Sequence, residues 1–115
     1  MPSNVTVTGV VEGGQLIVWT LAAHESGVPQ SYAAYPLRSV QIDGAFSGAS
    51  VLLEGSNDLT NPTTWSPLRN AYGDLLQASS PSFHMTDDIP LWTRARVEGG
   101  EDTTRITIHL LVQHS

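Results

Sequence analysis

The side chains that could carry out chemistry in this 115-residue chain are its acids, histidines, serines and arginines. Serine hydrolases commonly hold the nucleophile on a sharp Gly-x-Ser-x-Gly turn, and that motif does not occur in the sequence. Glycoside hydrolysis needs paired carboxylates that face each other across a cleft. Nearly all acids here lie instead in predicted turns, where they are typically solvated or bonded to the backbone. We therefore predict a non-enzymatic protein without a cofactor.

Oxygen ligands suitable for calcium do occur in several predicted turns. The candidates are Asn57, Asp58, Asp74, Asp87 and Asp88. Their spacing does not match an EF-hand, and Asn and Asp in turns bond to nearby backbone without any metal. The chain has no cysteine, which excludes disulfides and thiolate metal sites. We expect no resident metal ion.

A row of aromatic and basic side chains is predicted along residues 91–97. Alternation along a strand places Trp92, Arg94 and Arg96 on one face and the smaller residues on the other, core-facing side. Exposed Trp and Arg side chains are enriched at binding hot spots. The row is a candidate contact surface for a protein or a sugar. The alternative is that Trp92 covers one open end of the fold.

Alternation of apolar and polar residues predicts the strands that position these groups. Residues 5–11 and 15–21 predict one hairpin. Residues 40–44 and 49–54 predict a second hairpin, with a Gly-Ser-Asn-Asp corner at 55–58. Trp65 follows this corner, and we expect it to fold back as a lid on the core, its ring nitrogen bonded to a carbonyl.

The last predicted strand, residues 104–112, has the most regular alternation in the chain. Its inward positions are Ile106, Ile108, Leu110 and Val112. About eight strands, frequent turns and no segment of helical period predict an all-β, antiparallel β-sandwich of jelly-roll or immunoglobulin-like type. The length indicates a single domain spanning residues 1–115. There is no apolar run long enough for a transmembrane helix and no signal-peptide pattern, so we expect no membrane partner.

Two further segments are candidate contact regions. The strand at 5–11, which carries Val5 and Val7, is a candidate edge strand, and residues 1–8 could form an N-terminal arm. Residues 22–36 have no sustained period, and loops of this length in small domains are often functional. This loop carries Tyr32 and Tyr35, which could anchor an interface. The equally weighted alternative is that both tyrosines pack the loop onto the sandwich.

The charge balance narrows the choice of partners. The net charge is −6, and all five basic residues are arginines. Nucleic-acid affinity comes largely from clustered lysines and arginines, so we predict no nucleic-acid partner. The absence of lysine also excludes Schiff-base chemistry and a P-loop.

The run GAFSGASVLLEGSND, followed after a spacer by TTW and PL, resembles a small family of tailed-bacteriophage structural proteins. These are head decoration or cement proteins and related virion accessory proteins. The resemblance continues through LWTRARVEGGEDTT and the last strand, and so covers most of the chain. It implies a virion protein on the capsid surface, assembled in the host cytoplasm. The partners that it implies are the major capsid protein and further copies of the chain, as a dimer or trimer.

Two other functions are open at this point. The protein could be a neck or tail accessory component of the same virion. It could also be a carbohydrate-binding β-sandwich module, with Trp65, Trp92 and the two tyrosines as platforms for sugar rings.

Overall fold

The computed structural model describes residues 4–10, 13–60 and 62–113, which form nine β-strands and no α-helix. The strands are β1 Val5–Val10, β2 Gly14–Leu21, β3 Leu37–Ala45, β4 Ser50–Ser56, β5 Ser66–Pro67, β6 Gln77–Ala78, β7 Ser82–Met85, β8 Trp92–Glu98 and β9 Arg105–Gln113. Over these residues, no helix has the length and apolar character needed to cross a membrane. The prediction of an all-β fold is confirmed.

The strands form two antiparallel sheets packed face to face. The first sheet has the order β1-β2-β9-β3-β7. In the second sheet β4 is central, because β8 pairs along its whole length and the short β5 and β6 pair with it as well. Buried side chains from both sheets form one hydrophobic core. This arrangement is the predicted antiparallel β-sandwich.

The strand with the most regular alternation of side chains, β9, lies at the centre of the first sheet. Ile106, Ile108, Leu110 and Val112 are at most 1% exposed, as their inward positions predicted. β9 pairs with β2 on one side and with β3 over nine residue pairs on the other. The hairpin of β1 and β2 is also as predicted. The most regular pattern in the sequence therefore belongs to the strand with two long neighbours.

The connection between β3 and β4 corrects the hairpin predicted for residues 40–54. A tight turn is present, since the Ala49 amide donates to the Phe46 carbonyl and both Ser47 and Gly48 have positive φ. The two strands do not pair, however, because the chain crosses here from the first sheet to the second. Alternation tells which face of a strand is buried but does not identify its neighbours. In β4, Leu52 and Leu53 are both buried, as expected for a central strand.

Candidate interaction surfaces

The predicted contact segments lie next to one another on one side of the sandwich. The Asn4 side chain donates to the Ser26 carbonyl and accepts from the Val28 amide, both at 2.9 Å. Further along, Gln30 and Thr93 exchange two backbone hydrogen bonds, at 2.8 and 2.9 Å. The segment 22–36 thus runs from the start of β1 to the edge of β8 that does not pair with β4. We call β1, residues 22–36 and β8 together the loop side.

β1 is one of the two edge strands of the first sheet, which is one of the two roles that its sequence allowed. Val5 and Val7 pair with Trp19 and Ile17, so both valines are on the core side of the sheet. Val5 packs against the core, whereas Val7 is 40% exposed. The predicted arm at residues 1–8 lies partly outside the described residues, and its residues 5–8 belong to β1. An edge strand can pair with a strand of another protein.

The two tyrosines of the loop are held to the sandwich by a buried arginine. Tyr32 and Tyr35 contact each other edge to face, with ring centroids 5.9 Å apart, and both pack on the core. Arg38 is 4% exposed and donates to the Tyr32 carbonyl at 2.6 Å and to the Tyr35 carbonyl at 3.1 Å. Its third bond goes to the hydroxyl of Thr93. Burial lowers the pKa of Arg38 from its ordinary value. These contacts favour a packing role for the tyrosines.

Sequence reasoning did not single out Arg38, although one signal was available. Arg38 has the same parity along β3 as Val40 and Ile42, which are both buried in the core. A charged residue at a core-facing position of a strand is unusual, because burying a charge is costly unless it has partners. The carbonyls of the tyrosine loop are those partners.

The row on β8 has the predicted alternation. Trp92, Arg94 and Arg96 are half-buried on the outer side of the second sheet, and the residues between them are buried. The indole nitrogen of Trp92 donates to the Asp58 carbonyl at 3.0 Å. This bond ties the start of β8 to the corner that follows β4. The row therefore lies on the surface, and Trp92 at its start is bonded to the corner at 55–58.

An acid from the neighbouring strand lies between the two arginines of the row. Glu54 is opposite Arg94 in the register of β4 and β8, and its Oε1 accepts from Arg94 Nε at 3.0 Å and from Arg96 Nε at 3.1 Å. Arg96 also donates to the exposed Glu98 at 3.0 Å. The hydrogen bond with Glu54 is the main reason that the pKa of Arg96 is raised. Much of the charge of the row is thus neutralised within the molecule.

The position of Trp65 corrects the predicted hydrophobic lid. Its ring is half-buried outside the core, and the guanidinium carbon of Arg94 lies 4.3 Å from the ring centroid. Arginine stacks well on indole because its planar cation is weakly hydrated. The buried tryptophan is Trp19, whose ring nitrogen donates to the Val28 carbonyl at 2.9 Å. Trp19 already fills the core, and Trp65 instead covers Arg94.

The corner at 55–58 borders an open groove of about 420 Å³. Its polar side chains are bonded mostly to the surrounding backbone. Asp58 Oδ2 accepts from the amides of Thr63 and Thr64 at 3.1 and 3.2 Å, and Asn57 Oδ1 accepts from Leu91 N at 2.8 Å. In the part of the chain that the structure describes, no group of three His, Cys, Asp or Glu residues is placed to hold a metal ion. The hydrogen bonds to the backbone therefore explain why Asn57 and Asp58 occur at this corner.

Replacing Asp58 with asparagine should remove a pH-dependent contribution to stability. The backbone amides of Thr64 and Thr63 hold the pKa of Asp58 below its ordinary value. A carboxylate with a lowered pKa stabilises the fold above its unfolded pKa of about 4. This contribution is lost as the pH falls through the still lower folded pKa. Asp58→Asn should thus be less stable than wild type in urea denaturation at pH 7, with a difference that shrinks below about pH 4. A difference that stays constant with pH would contradict this assignment.

A further surface that the sequence did not reveal lies on the first sheet, on the side facing away from the core. Phe83, Met85 and Leu37 are 65%, 60% and 50% exposed there. Between them and β2 is a shallow groove of about 200 Å³, lined by Leu16, Ser39, Gln41, Phe83, His109 and Leu111. We call this side of the first sheet the outer face. The available signals were Leu16 and Val18 on β2 and Leu111 on β9, which are apolar residues at outward positions.

Comparisons with known proteins were made for sequence and for fold. No protein-family model matches the sequence, and no curated protein matches it significantly. The fold is similar to the crystal structure of the SPBc2 prophage-derived protein YomS, with a TM-score of 0.55. The match covers 91% of this chain and 98% of that chain, at 16% sequence identity. The likeness shows a shared fold.

Proposed function

We propose that this protein is a non-enzymatic structural component of a phage particle, which binds the assembled capsid surface as a decoration or cement protein. The fold shared with a prophage-derived protein supports a phage origin, as does the resemblance of residues 44–58 to phage structural proteins. The observation that carries the proposal is the continuous loop side. It combines an edge strand with a row of tryptophan and arginine side chains on one rigid sandwich.

The mechanism would be binding that favours the assembled shell. A protein that binds only the assembled state stabilises that state by mass action, by about 2.7 kcal/mol when its free concentration is 100 times Kd. The edge of β1 could pair with a strand of the capsid protein, which would supply main-chain hydrogen bonds. Val7 and the row on β8 would supply side-chain contacts beside that strand.

Purified protein should sediment with capsids that lack it, and Val7→Lys should weaken this binding at least tenfold. Val7 is 40% exposed on the edge strand, so lysine can reach solvent in the free protein but would place a charge in the interface. Tyr72→Lys is the matched control, because Tyr72 is 92% exposed and lies next to Ala71, whose amide bonds to β7, the strand at the opposite edge of the first sheet from β1. Wild-type protein that stays in the supernatant would overturn shell binding. Equal binding by Val7→Lys and wild type would overturn the role of β1.

A position at the neck or tail of the particle uses the same chemistry and differs only in location. Imaging of particles that carry a labelled copy of the protein distinguishes these positions. Density on the head supports the decoration role, and density confined to the neck or tail would replace it with an accessory role.

The structure gives less support to a carbohydrate-binding module. Sugar rings stack on open aromatic faces, but the Arg94 guanidinium covers one face of Trp65. Tyr32 and Tyr35 are packed against each other and the core. Binding on a glycan array that is lost in Trp92→Ala would nevertheless favour a sugar ligand.

A further inference from the structure

We propose that the edge of β7 that does not pair with β3, together with an adjoining apolar pocket, binds an extended peptide segment of another protein. The segment would place one large apolar side chain in the pocket and basic residues beside it. This site lies at the opposite edge of the first sheet from β1, so it does not overlap the loop side and does not rest on shell binding. Three observations support it: the main-chain groups of Phe83, the pocket itself and the charges around it.

The hydrogen bonds of β7 show which of its main-chain groups face away from the sheet. Immediately after β7, the Thr86 amide donates to the Arg38 carbonyl of β3, whereas the Met85 carbonyl accepts from the Ala71 amide on the other side. Successive residues of an antiparallel strand direct these groups to opposite edges. Phe83, two residues before Met85, therefore directs its N–H and C=O away from β3. Neither group has a hydrogen-bond partner in the part of the chain that the structure describes.

This open position can pair with an antiparallel segment. In such a pair, one residue exchanges both of its main-chain hydrogen bonds with the residue opposite. A residue opposite Phe83 can therefore satisfy both groups at once, as in strand addition at a sheet edge. The edge is less available on either side, because Ala71 already bonds to Met85 and Pro81 has no N–H. The pairing is thus short, and side chains must supply the rest of the binding energy.

An apolar pocket of about 250 Å³ lies beside this position. Among the described residues, three of the four most exposed large apolar side chains line it, Tyr72 at 92%, Phe83 at 65% and Met85 at 60%. The other lining residues are Asn70, Ala71 and His84. A cavity of about 150 Å³ accepts benzene, so this pocket has room for a large apolar side chain. Side chains opposite each other in an antiparallel pair lie on the same face, which brings the residue opposite Phe83 to the pocket.

The turn that carries Tyr72 is held in place by its own hydrogen bonds. Asn70 Oδ1 accepts from the amides of Tyr72 and Asp74, at 2.9 and 3.1 Å. The Gly73 amide donates to the Asn70 carbonyl at 2.9 Å, and the Gly73 carbonyl accepts from Arg69 Nη1 at 2.8 Å. These bonds fix the backbone of a residue whose side chain is almost wholly exposed. Because this order exists before binding, less conformational entropy is lost when a ligand contacts the pocket.

The charges around the pocket favour a basic segment. Asp74 lies in the turn beside Tyr72, and Asp87 and Asp88 follow β7; all three are exposed. Arg69 is the one basic residue of the segments 69–75 and 82–89, so three acids and one arginine leave them a net charge of −2. Within the described residues, none of the three acids forms a salt bridge with an arginine. They are available to attract basic residues, and they disfavour a second copy of this acidic chain.

A peptide titration followed by NMR tests the site. The probe is the peptide Arg-Thr-Val-Leu-Val-Thr-Arg, capped at both ends. It should shift the amide signals of residues 71–73 and 83–85 and slow hydrogen exchange of the Phe83 amide, with half-saturation at or below about 1 mM. β1 is the other edge strand of the first sheet, and the amides of Val7 and Gly9 should not respond.

Matched peptides separate the three contributions to binding. Aspartate in place of the central leucine should weaken binding at least about tenfold, because it places a carboxylate in an apolar pocket. N-methylation of the leucine removes the donor to the Phe83 carbonyl and should weaken binding by about threefold or more. Glutamate in place of both arginines should also weaken binding, by a factor that shrinks as salt is added.

A variant of the protein tests the pocket from the other side. Tyr72→Ser should weaken binding of the unmodified peptide at least about tenfold, since it removes an aromatic contact from the pocket. The fold should be intact, because Tyr72 is 92% exposed. Leu59→Ser is the matched control, because Leu59 is 82% exposed and does not line the pocket. Circular dichroism checks the fold of each variant.

Several results would overturn the proposal. These are unchanged signals with the peptide at about 1 mM, equal binding by Tyr72→Ser and wild type, or shifts centred on β1 instead of β7. Equal binding of the N-methylated peptide would overturn the pairing with Phe83. Shell binding is measured separately: Val7→Lys should reduce it without changing the affinity for the peptide, so the two proposals can fail independently.

Discussion

Replacing Trp19 with alanine should lower the free energy of unfolding by about 4 kcal/mol, since large-to-small substitutions of buried aromatic residues cost about 3–5 kcal/mol. Trp19 is 0% exposed and is the largest of the fully buried side chains. The substitution would leave a cavity between the sheets. It would also remove the indole donor of the Val28 carbonyl. Because small domains are stable by only about 5–15 kcal/mol, this is a large fraction of the total.

The expected effect extends from the core to the loop side. Gly27 lies against the Trp19 ring so closely that an added Cβ would come within 2.7 Å of the ring nitrogen. The ring therefore positions Gly27 and Val28 within the segment 22–36. Trp19→Ala should accordingly increase the amide hydrogen-exchange rates of residues 26–30 by more than it increases those of β9.

Trp19→Phe is the matched control, because it retains most of the apolar volume and loses the N–H donor. Urea denaturation should give it a loss of about 1–2 kcal/mol, mainly from the lost indole hydrogen bond, since the Val28 carbonyl then keeps only the longer 3.4 Å bond from Gln30 Nε2. A loss below about 1 kcal/mol for Trp19→Ala would contradict the central role assigned to this residue.

The structural features that the sequence predicted correctly are those that depend on local patterns of residues. The inward residues of β9 and the outward row on β8 follow from the period-two geometry of a strand, and the hairpin of β1 and β2 follows from the short connection between them. The absence of strands between β2 and β3 also follows, because residues 22–36 have no sustained period. These features need only the neighbouring residues in the chain.

Other features depend on which strands become neighbours, and local patterns do not contain this information. The turn at Ser47 and Gly48 has the backbone geometry expected of a tight turn, yet it connects two sheets. Trp65 contacts Arg94, a residue on another strand, so its environment could not be read from the corner that precedes it. The outer face was missed for the same reason, because its apolar residues come from four strands.

Replacing Glu54 with alanine should lower the free energy of unfolding by about 3 kcal/mol, since removing one member of a buried ion pair leaves uncompensated charge. The Glu54 side chain is 6% exposed and accepts from both Arg94 and Arg96. Without it, two guanidinium groups at 20% and 27% exposure would lose their shared acceptor and repel each other. Trp65 would also lose part of its order, because Arg94 positions its ring.

Glu98→Ala is the control that separates this network from an ordinary surface ion pair. Glu98 also accepts from Arg96, but its side chain is 50% exposed. Exposed pairs contribute about 0–1 kcal/mol and are screened by salt, whereas buried pairs are screened much less. Urea denaturation with and without added salt should therefore show a large, nearly salt-independent loss for Glu54→Ala and a small loss for Glu98→Ala. Equal losses would mean that Glu54 is solvated like Glu98. The row on β8 would then lack the rigid support that a binding surface needs.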